Sequence, residues 1–86
     1  MLEMKLVIHG RVQGVGYRYS IIDHIESNQI MVKGYVINKP NGTVEVVGQG
    51  GIEDLKDLRR IALEGSKKSE VREMEEEFEN INKTPL

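Results

Sequence analysis

The chain is predicted to be an α+β sandwich in the order strand–helix–strand–strand–helix–strand. Three observations predict it. Short runs of alternating apolar and polar residues recur early, in the middle and late in the sequence, which is the period of half-buried strands. Ile52, Leu55, Leu58, Ile61 and Ala62 recur at helical spacing. Lys39-Pro40-Asn41-Gly42 reads as a tight turn between two strand-like runs: proline pre-sets one backbone angle and Asn-Gly readily takes positive φ.

Taken in order, Met4–His9 (MKLVIH) is a predicted strand, with Leu6 and Ile8 on one face and Lys5, Val7 and His9 on the other. It is a central strand if both faces are covered. A glycine-rich stretch follows, and Tyr17 to about Gln29 is a predicted helix. Its apolar stripe is Ile21, Ile22 and Ile25, with Asp23, His24, Glu26 and Ser27 outward. β-branched isoleucines also suit strands. Lys33–Asn38 and Thr43–Gln49 are predicted to pair as a hairpin across the turn, and Gly50-Gly51 ends it. Ile52–Glu64 is the second helix, with Glu53 and Asp54 near its positive end and Gly65 as its stop. Val71–Phe78 is the last strand, Met74, Glu76 and Phe78 alternating with Glu75 and Glu77. Glu79–Leu86 is expected to be a frayed polar tail. Two β-α-β units in this order give a ferredoxin-like βαββαβ sandwich, an antiparallel sheet with two helices on one face. All 86 residues are expected to form one domain, with its core at about 4–78.

Composition removes several function classes. A formal net charge of −2 argues against nucleic acid as a partner, since phosphate-backbone binding wants a basic face. With no cysteine there is no disulfide framework, thiolate metal site or thiol nucleophile. No apolar run is long enough to span a membrane, and no signal peptide is visible, so the expected setting is cytoplasmic. A monomer is expected.

Chemistry concentrates in Gly10–Arg18, GRVQGVGYR. Three glycines allow backbone turns that point several N–H groups into one hollow. A helix starting just after them adds its own unpaired N–H groups and positive end. Arg18 then offers a planar fork for two phosphate oxygens. The stretch lacks the lysine and hydroxyl of a nucleotide P-loop and the spacing of a dinucleotide fingerprint. It reads as a phosphoryl cradle of another kind.

GRVQGVGYR, together with GYVIN at Gly34–Asn38 and NGTVEV at Asn41–Val46, resembles the acylphosphatase family over roughly residues 5–78. The resemblance implies a metal-free, cofactor-free enzyme that hydrolyses the carboxyl–phosphate bond of a small-molecule acyl phosphate. Inorganic phosphate would be its product and inhibitor. The family's two catalytic positions match Arg18 and Asn38. Gly14, Val15, Gly16, Tyr17 and Arg18 would then bind the phosphoryl group, and the Asn38 amide would orient the attacking water. Other polar residues have quieter readings: Gln13 shapes the loop, His9 is structural, His24 is solvated, and Tyr17 and Tyr19 belong to the core or the helix face. The acidic run Glu73–Glu79 reads as a solvated strand face without calcium-loop spacing.

The sequence departs from the family in four places. About two extra residues lie between Arg18 and Asn38. NQIMV at Asn28–Val32 stands where a leucine-glycine usually ends the first helix, and Gly65-Ser66 stands where Gly-Pro is usual. A final strand common in the family is not expected. The competing reading is a non-catalytic ferredoxin-like module with an anion pocket, for which Arg18 would suffice without Asn38. An RNA-binding domain of this topology is disfavoured by charge and by only three tyrosines and one phenylalanine. A detached relative of the acylphosphatase-like domain of hydrogenase-maturation carbamoyl transferases is disfavoured by the missing zinc-finger cysteines.

Overall fold

The structure, a computed structural model, describes residues 1–81. Its elements are β1 (Leu2–Arg11), α1 (Tyr17–Ser27), β2 (Lys33–Asn38), β3 (Val44–Gly50), α2 (Ile52–Glu64) and β4 (Glu70–Asn80). The sheet order is β2-β3-β1-β4, with every neighbouring pair antiparallel. This is the ferredoxin-like arrangement. The second helix and second strand have the predicted limits.

Strand ends differ from expectation because pairing, not side-chain alternation, sets them. Leu2 and Glu3 pair with Gly50 and Gln49 on one side and with Asn80 and Glu79 on the other. That extends β1 and carries β4 into the segment expected to be a frayed tail, through Asn80. Ile81 follows, its N–H donating to Met1 O at 3.1 Å, and the last residues of that expected tail, 82–86, lie outside the described residues. Thr43 is not in β3, because its N–H and hydroxyl both donate to Asn41 Oδ1, at 3.1 and 2.6 Å, in the turn.

The core lies between the helices and one face of the sheet. Met4, Leu6 and Ile8 of β1 meet Val44 and Val46 of β3, Tyr17 and Ile21 of α1, and Leu55, Leu58, Ile61 and Ala62 of α2, all buried. β1 is central in the sheet, but the helices cover only one of its faces. Within the predicted stripe of α1, Ile21 is buried and Ile25 half-buried, whereas Ile22 is 46% exposed. Phe78, on the edge strand β4, is 51% exposed. The alternation there is correct, but an edge strand has too little above it to bury a large ring.

The end of α1 explains how the chain reaches β2. Gln29 N–H donates to Glu26 O at 3.2 Å and Ile30 N–H to Ile25 O at 3.0 Å, the paired bonds of a Schellman motif. Gln29 takes the left-handed position, φ 52°, which a glycine normally occupies. The helix therefore ends at Ser27 rather than Gln29. Ile30 turns inward and is buried. The segment from Asn28 to Val32 is taken up between helix and strand, so β2 runs from Lys33 to Asn38 in regular register with β3. Gln29→Gly should relieve about 0.5–1 kcal/mol of backbone strain. A rise in the urea midpoint at unchanged m would show it, and an unchanged or lower midpoint would refute it.

On the open face of the sheet, the Tyr35 hydroxyl donates to Glu45 Oε2 at 2.7 Å, and Lys5 and Lys39 approach the other oxygen at 3.5 and 3.9 Å. The tyrosine bond, followed by the lysine charges, holds the Glu45 carboxyl below its ordinary value of about 4.5, against an opposing effect of burial. The same bond raises the Tyr35 phenol. A depressed carboxyl stabilises the fold above its unfolded pKa and loses that contribution as pH falls through the folded one. The cost of Glu45→Gln, read from urea midpoints, should thus be full at neutral pH and shrink as pH falls below about 4.5. A cost independent of pH would show that the ionised carboxylate is not what matters.

Candidate active site

The loop between β1 and α1 is shaped by two glycines. Gly14 and Gly16 have φ of 72° and 75°, while Gln13 and Val15 keep negative φ. Alternating signs turn successive N–H groups toward one concavity, the geometry of an anion nest. A Cβ would meet nothing within 4 Å at either glycine, so the requirement is for the backbone angle alone. The first helix hydrogen bond to the loop is Ser20 N–H to Gly16 O, 3.0 Å. The N–H groups of Tyr17, Arg18 and Tyr19 precede it and have no partner within the helix.

These groups border a hollow of about 150 Å³, lined by Gly14, Gly16, Tyr17, Arg18, Tyr19 and Asn38 among others. Arg18 and Asn38 thus come together, although 20 positions separate them in sequence. Both are exposed. The Arg18 side chain makes no hydrogen bond or ion pair among the described residues, so its fork is available to a ligand. Asn38 pairs with Val44, whose side chain is in the core. Paired residues share a face of the sheet, so Asn38 lies on the helix side, with α1. None of the lining residues is Asp, Glu or His. Positive charge and N–H dipoles dominate the hollow.

Gln13 does more than shape its own loop. Its Nε2 donates to Lys39 O at 2.8 Å and Thr43 O at 2.9 Å. It ties the loop to the hairpin turn immediately after Asn38. The two halves of the site are therefore fixed to one another by one amide. The sequence signal was an amide embedded in an otherwise apolar and glycine-rich run, with no indication of its partner.

Two of the residues expected to bind the phosphoryl group, through the backbone N–H groups of about Gly14 to Arg18, turn their side chains to the core. The Tyr17 ring is buried, and its hydroxyl donates to Ala62 O at 2.6 Å. That carbonyl belongs to the last turn of α2, where helix carbonyls lack partners. Burial pushes the phenol pKa up, and the ring anchors the start of α1 to the end of α2. Only the backbone side of Tyr17 is left for the hollow. Val15 packs against the core, and its carbonyl accepts a hydrogen bond from Ser66 Oγ at 2.8 Å. Tyr19 is 78% exposed at the rim.

Other features lie apart from this hollow. His9 Nε2 lies 2.6 Å from Glu75 and 3.8 Å from Glu73. These three could offer ligand atoms to a cation, but they stand on the open face of the sheet, opposite Asn38. A larger apolar cavity of about 330 Å³, between α1 and β2, includes Ile22, Ile25, Val36 and Leu58 and shares no lining residue with the Arg18–Asn38 hollow. No helix among the described residues is long and apolar enough to cross a membrane.

Known proteins are similar in sequence and share this fold. The acylphosphatase family model matches residues 4–84. An acylphosphatase of Petrotoga mobilis is 38% identical over 77 residues, covering 90% of this chain and 84% of the relative. One from Bacillus licheniformis is 36% identical over 77 residues, covering 90% and 83%. The crystal structure of acylphosphatase from Bacillus subtilis superposes with a TM-score of 0.82 at 30% identity, covering 92% of this chain and 86% of that one. In sequence and in fold alike, the chain belongs to the acylphosphatase family.

Proposed function

We propose that this chain hydrolyses acyl phosphates through the Gly14–Arg18 cradle, Arg18 and Asn38. One observation carries the reading: an unpaired guanidinium and an amide from distant elements face one hollow at a helix N-terminus. The phosphoryl group sits against the loop N–H groups, with Arg18 on two of its oxygens. Asn38 orients a water in line with the scissile bond. The water oxygen attacks phosphorus, the P–O bond to the acyl group breaks, and the carboxylate departs with the bonding pair. A carboxylate needs no proton to leave, so the absence of an acid among the lining residues is no obstacle. Products are the carboxylate and inorganic phosphate, which competes for the same cradle. The setting we propose is a monomer in the cytoplasm, acting on small molecules and not on nucleic acid.

The chemistry of the lining residues also sets the test. They supply no carboxylate, imidazole or thiolate for a metal, and charge stabilisation falls to Arg18 and the backbone. Hydrolysis of benzoyl phosphate should proceed at its full rate in excess chelator. Activity lost in chelator and restored by magnesium or zinc would reject this mechanism. No hydrolysis under any condition, with phosphate still bound, would favour a non-catalytic anion module.

A further inference from the structure

We propose that Ser66 is a positioning residue for the phosphoryl cradle, a role that rests on the reading of that cradle given above. Ser66 follows α2 and is remote in sequence from the Gly14–Arg18 loop. Its hydroxyl donates to the carbonyl of Val15 at 2.8 Å. Val15 is the residue between the two glycines of positive φ. A peptide unit is planar and trans, so its C=O and N–H point in opposite directions. Holding the Val15 carbonyl outward, toward Ser66, therefore sends the Gly16 N–H the other way, toward the hollow that Gly16 lines. Glycines on both sides make this peptide easy to rotate, and a nest works only while its N–H groups converge. The Ser66 bond opposes that rotation.

Ser66 is itself held. Its N–H donates to Ser69 Oγ at 2.8 Å, and the Ser69 hydroxyl donates back to Ser66 O at 2.9 Å. Gly65, at φ 64°, closes α2 just before it, with its N–H on Ile61 O at 3.0 Å. The Tyr17 hydroxyl on Ala62 joins the same helix end to the start of α1. The end of α2 thus grips the cradle from outside at two points, the Val15 carbonyl and the Tyr17 ring. Only Ser66 acts on the orientation of a peptide that faces the ligand. A proline at 66 would supply neither the hydroxyl nor the N–H used here.

The test compares the parent, Ser66→Ala and Ser66→Thr in inorganic phosphate binding, steady-state kinetics and amide NMR. Ser66→Ala keeps the N–H to Ser69 and loses only the hydroxyl. It should weaken phosphate inhibition and lower kcat/KM by about tenfold, the scale of one hydrogen bond to a charged group. It should also shrink the phosphate-induced shift of the Gly16 amide proton. Ser66→Thr, which retains the hydroxyl, should restore both, a rescue that a purely structural role in the loop would not give to the amide shift. Phosphate binding and a Gly16 shift in Ser66→Ala equal to the parent's would overturn the assignment alone, whatever the change in melting temperature. Failure of phosphate to perturb Gly14–Arg18 in the parent would overturn the cradle reading and this assignment together.

Discussion

Arg18→Ala is expected to lower kcat/KM by about 10²–10³-fold or more, the range for removing one preorganised donor from a developing charge. The size follows from the poverty of the hollow. Among its lining residues no other side chain carries positive charge. Nothing in the described structure competes for the guanidinium, so all of its interaction is available to the phosphoryl oxygens. Arg18→Lys should recover little, because an ammonium is a point charge and cannot reproduce two parallel bonds from a planar fork. Both variants should fold as the parent does, since Arg18 is exposed and holds no structural bond. Inorganic phosphate should inhibit the parent competitively and both variants weakly. Near-parental turnover in either variant, with a parental melting temperature, would remove Arg18 from the chemistry.

How much of this was legible in the sequence depended on the range of the interaction involved. Elements that rest on local pattern were readable. α2, with its five apolar positions, its acidic first turn and its glycine stop, has the expected limits. The loop glycines also signalled their backbone angles through residue type alone. Long-range pairing was not readable, because alternation says which residues face the core but not where a neighbour stops. β1 and β4 are therefore longer than their patterns suggest. One isoleucine of α1 misled for a related reason. Ile22 fits the apolar stripe, yet the helix meets the core through Tyr17 and Ile21, so Ile22 is left facing an open cavity.

The site shows the same division. Arg18 and the glycine loop belong to one stretch, and the proposed anion-binding role could be argued from its residue types alone. Asn38 had no local mark of function and entered only through the resemblance. Gln13 and Ser66 were the hardest to read, because each acts through a carbonyl far away in sequence, Gln13 on Lys39 and Thr43 and Ser66 on Val15. A backbone acceptor leaves no trace in residue identity. Gln29 hid its role differently: it takes a left-handed cap without being glycine, so the helix end carried no signal.

Asn38→Ala is expected to lower kcat by about 10²-fold while leaving inhibition by phosphate nearly unchanged. An amide both donates and accepts, so it fixes a water's orientation without adding charge. On the proposed reading phosphate is held by the cradle and Arg18, which the substitution leaves in place. The loss should therefore fall on a step along the reaction and not on ground-state binding. The register of β2 sharpens this expectation. A shift of one residue in the strand would turn every side chain to the opposite face. The Schellman motif closes α1 before β2 begins, and the pairing of Asn38 with Val44 keeps the amide on the side of α1. Gln13 then fastens the next carbonyl to the loop at 2.8 Å, so little freedom remains for Asn38 to drift. Asn38→Asp should be slower still at neutral pH, since its carboxylate would face an anionic substrate across a narrow hollow. Gln13→Ala gives the intermediate case: the amide survives but its tether does not, and kcat should fall by about tenfold, less than on removal of Asn38 itself. A silent Asn38→Ala, with phosphate bound as before, would leave an anion site without a positioned nucleophile, and the binding-module reading would replace the enzyme.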